Sequence, residues 1–258
     1  GRQIMKDCIY LDNNATTQID SEVLTDMMPY LNFYSGNPSS MHSFGGQVGK
    51  AVRTGREQVA SLSGAEPSEI IFTSCGTEGD NAAINAALIA QKNKRHIITT
   101  EVEHPAILSH CKQLERQGYQ VTYLSVDQQG QLDLNELKTS LTGNTALVSV
   151  MYANNETGVI FPIEEIGQMV KEYGALFHVD AVQAVGKIPL NMKTSTIDML
   201  TISGHKIHAP KGIGALYVRK GVRFRPLIIG GHQERGRRGG TENVSGIAAL
   251  GKAAELAQ

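Results

Sequence analysis

Residues 146–183 read ALVSVMYANNETGVIFPIEEIGQMVKEYGALFHVDAVQ. The stretch opens with a nearly continuous apolar run, Ala146–Met151, of the kind expected for a strand buried on both faces. Pro162 then introduces a helical segment, Ile163–Tyr173, and Gly174 stops it. A second β-rich run, Ala175–Val179, follows directly. Strand, helix and strand in this order predict parallel neighbours joined by a crossover helix.

The alternation extends outward in both directions. Upstream, strands are expected at Glu69–Thr73, His96–Thr100 and Gln120–Ser125. Downstream they are expected at Asp198–Ile202 and Gly214–Val218. Between them lie the helical stretches Gly46–Ser63, with apolar Val48, Val52 and Val59, and the Ala- and Ile-rich Thr77–Gln91. Leu134–Leu141 follows Asp133, a suitable N-cap, and Val244–Leu256 is rich in Ala. The pattern predicts an α/β fold of three αβα layers around a mostly parallel, mixed sheet. In such sheets ligands gather at the carboxyl ends of the strands.

Composition narrows the function. The 258 residues allow one large domain or two small ones, and 41% hydrophobic content suffices for a sizeable core. Lys and Arg number 24 against 25 Asp and Glu, which argues against a general binder of nucleic acid or anionic membrane. Cys8, Cys75 and Cys111 are odd in number and lack metal-site spacing. Reduced thiols in a cytoplasmic protein fit better than a disulfide or zinc framework. No run is long and apolar enough to span a bilayer, and Gly1 to Asp7 lacks the apolar core of a signal peptide. Met5 is read as the natural start, with Gly1 to Ile4 added before it.

Chemistry-bearing residues recur where strands end. Glu69–Thr73 runs into Ser74-Cys75-Gly76-Thr77, a turn that fits a phosphate cradle at a helix N-terminus or an ordinary capped turn. His96–Thr100 leads to His104, set before the helix-opening Pro105; a cavity-facing imidazole and a capping His both suit it. Ala146–Met151 exits into Asn154-Asn155-Glu156-Thr157-Gly158, which also reads as Asx-turn chemistry. Ala175–Val179 ends at Asp180, followed by Gln183. An acid at the end of an apolar strand needs a partner, either a cationic ring nitrogen or a structural ion pair. Asp198–Ile202 ends in Ser203-Gly204-His205-Lys206. Desolvation there makes the amine nucleophilic, unless its stem alone is buried.

Together these strand ends offer a lysine, an acid, an imidazole, amides and a phosphate-type turn. Pyridoxal 5'-phosphate requires that set: an amine for its aldehyde, an acid for its pyridine nitrogen, a ring-stacking partner and phosphate donors.

With these residues in place, the chain resembles the NifS/IscS family of cysteine desulfurases, which have the aspartate-aminotransferase-like fold. The likeness is carried by Tyr10 to Thr17, Gly36 to Ser40, Thr73 to Glu78, Glu103 to Ala106, Ala153 to Gly158, His178 to Gln183, Ser203 to Lys206 and Arg237 to Asn243. The segment His208 to Glu234 is closer to NifS, the nitrogen-fixation branch. The resemblance implies that Lys206 holds the cofactor aldehyde and removes the substrate α-proton. It implies that Asp180 pairs with the ring nitrogen and Gln183 with the phenolic oxygen, while His104 stacks on the ring and moves protons. Gly76, Thr77, Ser203 and His205 would hold the phosphate, and Gly204 would belong to the same cofactor site. Asn155 would sit beside cofactor and substrate, with Asn14 near the substrate. Thr241 would reach the phosphate of a neighbouring subunit, which implies a homodimer. The implied reaction converts L-cysteine to L-alanine and leaves a persulfide for a sulfur-accepting iron–sulfur scaffold protein.

The resemblance also sets expectations about the missing parts. Residues 1–15 would be an N-terminal arm and 16–258 the cofactor-binding large domain, with a C-terminal small domain absent. The family's nucleophilic cysteine and its carboxylate-binding arginine lie beyond Gln258, and none of Cys8, Cys75 and Cys111 matches the nucleophile's motif. Cys75 is read as a packing residue. The Arg235 to Arg238 cluster is read as part of the loop feeding Thr241 rather than a nucleic-acid site, and His42 and His232 receive no role. The alternatives are another enzyme of the same fold, such as a selenocysteine lyase or an aminotransferase-like enzyme, and a non-catalytic fragment that binds the cofactor.

Overall fold

The structure, a computed structural model, describes residues 9–39 and 43–258. Met5, Cys8, Ser40 and His42 lie outside the described residues. Strands form at β1 (Ile70–Thr73), β2 (His96–Thr100), β3 (Gln120–Leu124), β4 (Thr145–Met151), β5 (Leu176–Asp180), β6 (Met199–Ser203) and β7 (Gly214–Val218). Each of the seven lies within a residue of its expected bounds. Helices form at α1 (Ser21–Met27), α2 (Pro29–Asn32), α3 (Ser43–Ser63), α4 (Gly76–Ala90), α5 (Pro105–Arg116), α6 (Leu134–Ser140), α7 (Ile163–Glu172) and α9 (Val244–Leu256), with α8 (Gln233–Gly236) a single tight turn in which Glu234 and Arg235 take left-handed φ.

The strands make one seven-stranded sheet in the order β1-β7-β6-β5-β4-β2-β3. Pairings from β3 through β6 are parallel, and β7 runs antiparallel to both β6 and β1. The sheet is mixed and mostly parallel, as the alternation predicts. β4 is buried along its whole length. Its Leu147 joins Met199 and Leu216 under α4 and α5, while Val148 and Val150 join Val179 and Leu200 under α3, α7 and α9. One strand therefore feeds two apolar clusters, each covered by its own helices, and the three layers follow. Each fully buried Leu or Val contributes roughly 1.5–3 kcal/mol relative to exposure.

Local signals explain the element ends. The Asp133 carboxylate accepts the Asn135 N–H at 2.8 Å and starts α6. Gly174 has φ +62° and ends the turn after α7. Helices α3 and α9 approach so closely that a Cβ on Gly251 would lie 2.5 Å from the Gly55 Cα. Asp180 belongs to β5, one residue beyond the expected end, because it pairs with Met151 and Thr201 across the sheet. No described helix is long and apolar enough to cross a membrane.

Candidate active site

The carboxyl ends of β4, β5 and β6 and the N-termini of α4 and α5 surround a cavity of about 520 Å³. Gly76, Thr77, His104 and Asn155 line it, as do Asp180, Gln183, Ser203, His205 and Lys206. Asn14 lines it as well. Two residues of the expected set lie elsewhere. Gly204 is a buried backbone position whose N–H donates to the Ile213 carbonyl at 3.0 Å. Thr241 is exposed on the segment before α9 and does not line the cavity.

Lys206 ends a single 3₁₀ turn, Gly204–Lys206, that follows β6. Its ammonium donates to the main-chain carbonyl of Asn14 and to that of Ala15, the latter at 2.8 Å. Burial lowers its pKa, and Lys187 pushes the same way, while Asp180 and Asp12 oppose them. The balance favours the free amine more than an exposed lysine would allow. Asp180 is 6% exposed, and its Oδ1 accepts the Val182 N–H at 2.9 Å. Burial raises its pKa, against that hydrogen bond and the charges of His104 and Lys206. A cation at the cavity would restore the carboxylate.

His104 both caps and faces the cavity. Its Nδ1 accepts the Ala106 N–H at 3.1 Å, so the neutral ring carries its proton on Nε2. Residues 14–17 strap the site. The Asn14 Nδ2 donates to the Asn155 carbonyl at 3.1 Å, and the Gln183 Nε2 donates to the Asn14 carbonyl at 2.9 Å. The Thr17 N–H and hydroxyl both donate to the His205 carbonyl at 2.9 Å. The His205 Nδ1 lies 3.0 Å from the Thr16 hydroxyl, and burial lowers its pKa. Cys75 occupies the N-cap of α4 without a side-chain capping hydrogen bond, its Sγ instead accepting from the Ser74 hydroxyl at 3.7 Å. The first turn of that helix thus meets the cavity without a side-chain cap, as an anion site requires.

Below the cavity lies a polar cluster that strand-end reasoning does not reach. Asp80 lines the cavity floor from α4. His178 shares the Asp180 face of β5, two residues earlier, and its Nδ1 lies 2.8 Å from the Ser149 hydroxyl. Its Nε2 lies 2.9 Å from the Thr201 hydroxyl and 3.6 Å from the Asp80 Oδ1. Burial pushes His178 down to about 3 and Asp80 well up, with Asp180 raising Asp80 further. With His178 neutral, the contact is not an ion pair. Glu103 accepts the Met151 N–H at 2.8 Å and the Thr100 hydroxyl at 2.9 Å, and burial raises it to about 8. The usable sequence signal was periodicity: Asp80 lies one helical turn after Thr77, and His178 lies two strand residues before Asp180.

The Arg235 to Arg238 cluster is consumed internally. Arg235 and Arg237 donate to the Ser68 carbonyl, each at 2.9 Å, and Arg238 grips Glu78. Cys111 is buried, and its thiol is pushed up to about 12, so it is inert.

The class-V aminotransferase family model matches residues 9–258. The chain belongs to that family. This class-V aminotransferase chain is 81% identical over 248 residues to a cysteine desulfurase of Trichormus azollae, covering 96% of the chain and 62% of the relative. It is 57% identical over 250 residues to the cysteine desulfurase NifS of Azotobacter vinelandii, again covering 96% of the chain and 62% of the relative. A solved structure of SspA in complex with cysteine is 39% identical with a TM-score of 0.93, covering 96% of this chain and 72% of that one. The chain thus spans about 62% of the length of the curated relatives it matches.

Class-V aminotransferases depend on pyridoxal phosphate. The class-V residues here fit it on structural grounds. A desolvated amine and a buried carboxyl face one cavity, and a helix N-terminus without a side-chain cap adjoins them.

Proposed function

We propose that this chain is the cofactor-binding core of a pyridoxal-phosphate-dependent cysteine desulfurase that converts L-cysteine to L-alanine and passes sulfur to iron–sulfur cluster assembly. The observation that carries the reading is the shared cavity of Lys206 and Asp180, an amine with lowered pKa facing a buried acid. Bound there, pyridoxal phosphate supplies an aldehyde and an electron-withdrawing ring. Lys206 Nζ is the amine that would hold the aldehyde, and as a free amine it would take the proton from the substrate Cα. The Asp180 carboxylate keeps a proton on the ring nitrogen. His104 Nε2 carries a proton on the ring side, and Gln183 offers its amide N–H to the phenolic oxygen. Gly76, Thr77, Ser203 and His205 bind the phosphate, and Asn155 and Asn14 border the substrate.

The remaining parts of the reading concern the whole protein. Residues 1–15 act as an arm and 16–258 as the large domain of a cytoplasmic homodimer, with Thr241 reaching the phosphate of the partner subunit. Sulfur is accepted by a cysteine other than Cys8, Cys75 and Cys111 and delivered to a scaffold protein. A selenocysteine lyase or an aminotransferase-like enzyme would use the same lysine and acid.

The decisive experiment loads the chain with pyridoxal phosphate, reduces it with borohydride and maps the adduct by mass spectrometry. The expected adduct is a pyridoxyl group on Lys206, absent from Lys206→Ala. Folded protein that carries no adduct at Lys206 sinks the reading. A full-length protein incubated with L-cysteine should release alanine and persulfide sulfur, whereas amino transfer to a keto acid would favour the aminotransferase-like alternative.

A further inference from the structure

Lys187 lies beyond β5, four residues after Gln183, and has no part in the reading above. Its Nζ donates to the Gln183 Oε1 at 3.1 Å. The Gln183 Nε2 donates to the Asn14 carbonyl at 2.9 Å, and that same carbonyl accepts from Lys206. Two lysines thus end one chain of contacts: Lys187, the Gln183 amide, the Asn14 carbonyl, Lys206. Both also border a pocket of about 250 Å³ shared with Asp20 and His208.

The chain has a direction set by chemistry. An ammonium only donates, so Gln183 must turn its carbonyl oxygen to Lys187. Its NH₂ then points toward the strap and the cavity. An isolated glutamine has no such preference, because its two amide ends are nearly isosteric. A ring oxygen carrying negative charge needs the NH₂ end.

We propose that Lys187 is a positioning residue that holds the Gln183 amide with its NH₂ toward the cavity and sets a second positive charge beside Lys206. This rests on the reading of Lys206 and Gln183 as cofactor ligands. The charges facing Lys206 are Lys187, Asp180 and Asp12, and after burial Lys187 is the largest influence on its amine. Lys187 is largely exposed, and what burial it has lowers its own pKa. Removing Lys187 therefore leaves Asp180 and Asp12 to hold the Lys206 proton more tightly.

The test measures pyridoxal phosphate capture by the chain against pH, followed by visible absorbance, together with the cofactor dissociation constant. Lys187→Met should move the midpoint of capture up by about half a pH unit, the scale of one screened charge. At a pH below the midpoint, capture slows about threefold. Affinity for the cofactor should also fall. Lys187→Arg should restore both, since it keeps the charge and donates only. Lys187→Gln separates the two effects: it removes the charge, so the midpoint shifts as in Lys187→Met, and it carries the test if the Met variant fails to fold. In a Gln183→Leu background, Lys187→Met should move the midpoint but cost no further affinity. A folded Lys187→Met or Lys187→Gln variant with the wild-type midpoint and affinity overturns the inference. Borohydride trapping of wild type on Lys206 keeps the outcomes apart. If trapping succeeds and the variants are unchanged, only the role of Lys187 fails; if trapping fails, the cofactor reading fails first.

Discussion

Arg56 holds both carboxylate oxygens of Glu234, at 2.6 and 2.7 Å, across 178 residues of chain. The Glu234 Oε2 also accepts the Phe72 N–H at 2.9 Å. Glu234 has φ +49°, and Arg235 after it has φ +59°. The bidentate pair therefore fastens a strained turn to β1 and to α3, and that turn opens the segment leading to Thr241.

The Glu234 side chain is only 3% exposed. Arg56→Ala leaves it buried beside one backbone donor, which should cost about 3–5 kcal/mol in urea unfolding. Arg56→Lys should recover part of that loss but not all, because an ammonium has no fork to match both oxygens. An Arg56→Ala protein as stable as wild type would contradict the geometry.

A second ion pair stabilises the turn before α4. Arg238 donates to the two oxygens of Glu78 at 3.0 and 3.2 Å, and Glu78 accepts the Ser74 N–H at 2.7 Å. Burial alone would raise Glu78, but the hydrogen bonds from Arg238 and Ser74 outweigh it and hold the carboxyl below its ordinary value. A depressed acid stabilises the fold above its unfolded pKa and loses that effect as pH falls through its folded one. Wild type should therefore lose on the order of 1 kcal/mol on acidification below about pH 4.5 that Glu78→Gln never has. Melting temperatures of the two proteins should converge at low pH; parallel curves would remove the pair from the stability of this turn.

Glu103 predicts the opposite slope. Burial raises it to about 8 from an ordinary value of 4.5. A raised acid supports the fold below its unfolded pKa and loses that support as pH climbs through the folded one. Stability should decline from about pH 4.5 to 8, and Glu103→Gln should flatten this decline while staying near wild type at pH 5. Thermal melts across that range check it, and a Glu103→Gln variant with the full alkaline decline would assign the slope to another group.

What could be read from the sequence, and what could not, follows from where side chains point. All of β4 is buried, so its apolar run announces it. Helix α1 buries only Val23, and α2 buries nothing, so neither carries a periodic apolar stripe and neither was anticipated. Asp180 and Lys206 stand out because one ends a strand and the other lies just past one, where charge is unexpected. Asp80, His178, Ser149 and Thr201 sit inside helix and strand interiors. Along the sequence they read as mere interruptions, and only the register that sets Ser149 opposite His178 reveals a chain of contacts.

That chain makes a test of charge state beneath the cofactor cavity. If Asp80 and His178 formed an ion pair at 3.6 Å, neutralising Asp80 would strand a buried imidazolium. Burial instead drives His178 down to about 3, so the ring is neutral at pH 7 and makes no ion pair, and burial also raises Asp80. Asp80→Asn keeps the shape and neutrality of the protonated acid and should change stability at pH 7 by less than about 1 kcal/mol. Asp80→Ala removes the partner of the Thr201 hydroxyl and should cost about 1–3 kcal/mol. His178 has a depressed folded pKa, so its contribution is present above pH 6.5 and fades as pH falls toward 3. Imidazole NMR shifts of His178 should accordingly stay those of the neutral ring down to about pH 4. A loss above roughly 2 kcal/mol in Asp80→Asn, with an imidazolium signal for His178 at pH 7, would show that the buried carboxylate is ionised. In that case Asp180 would share the cavity floor with a second negative charge.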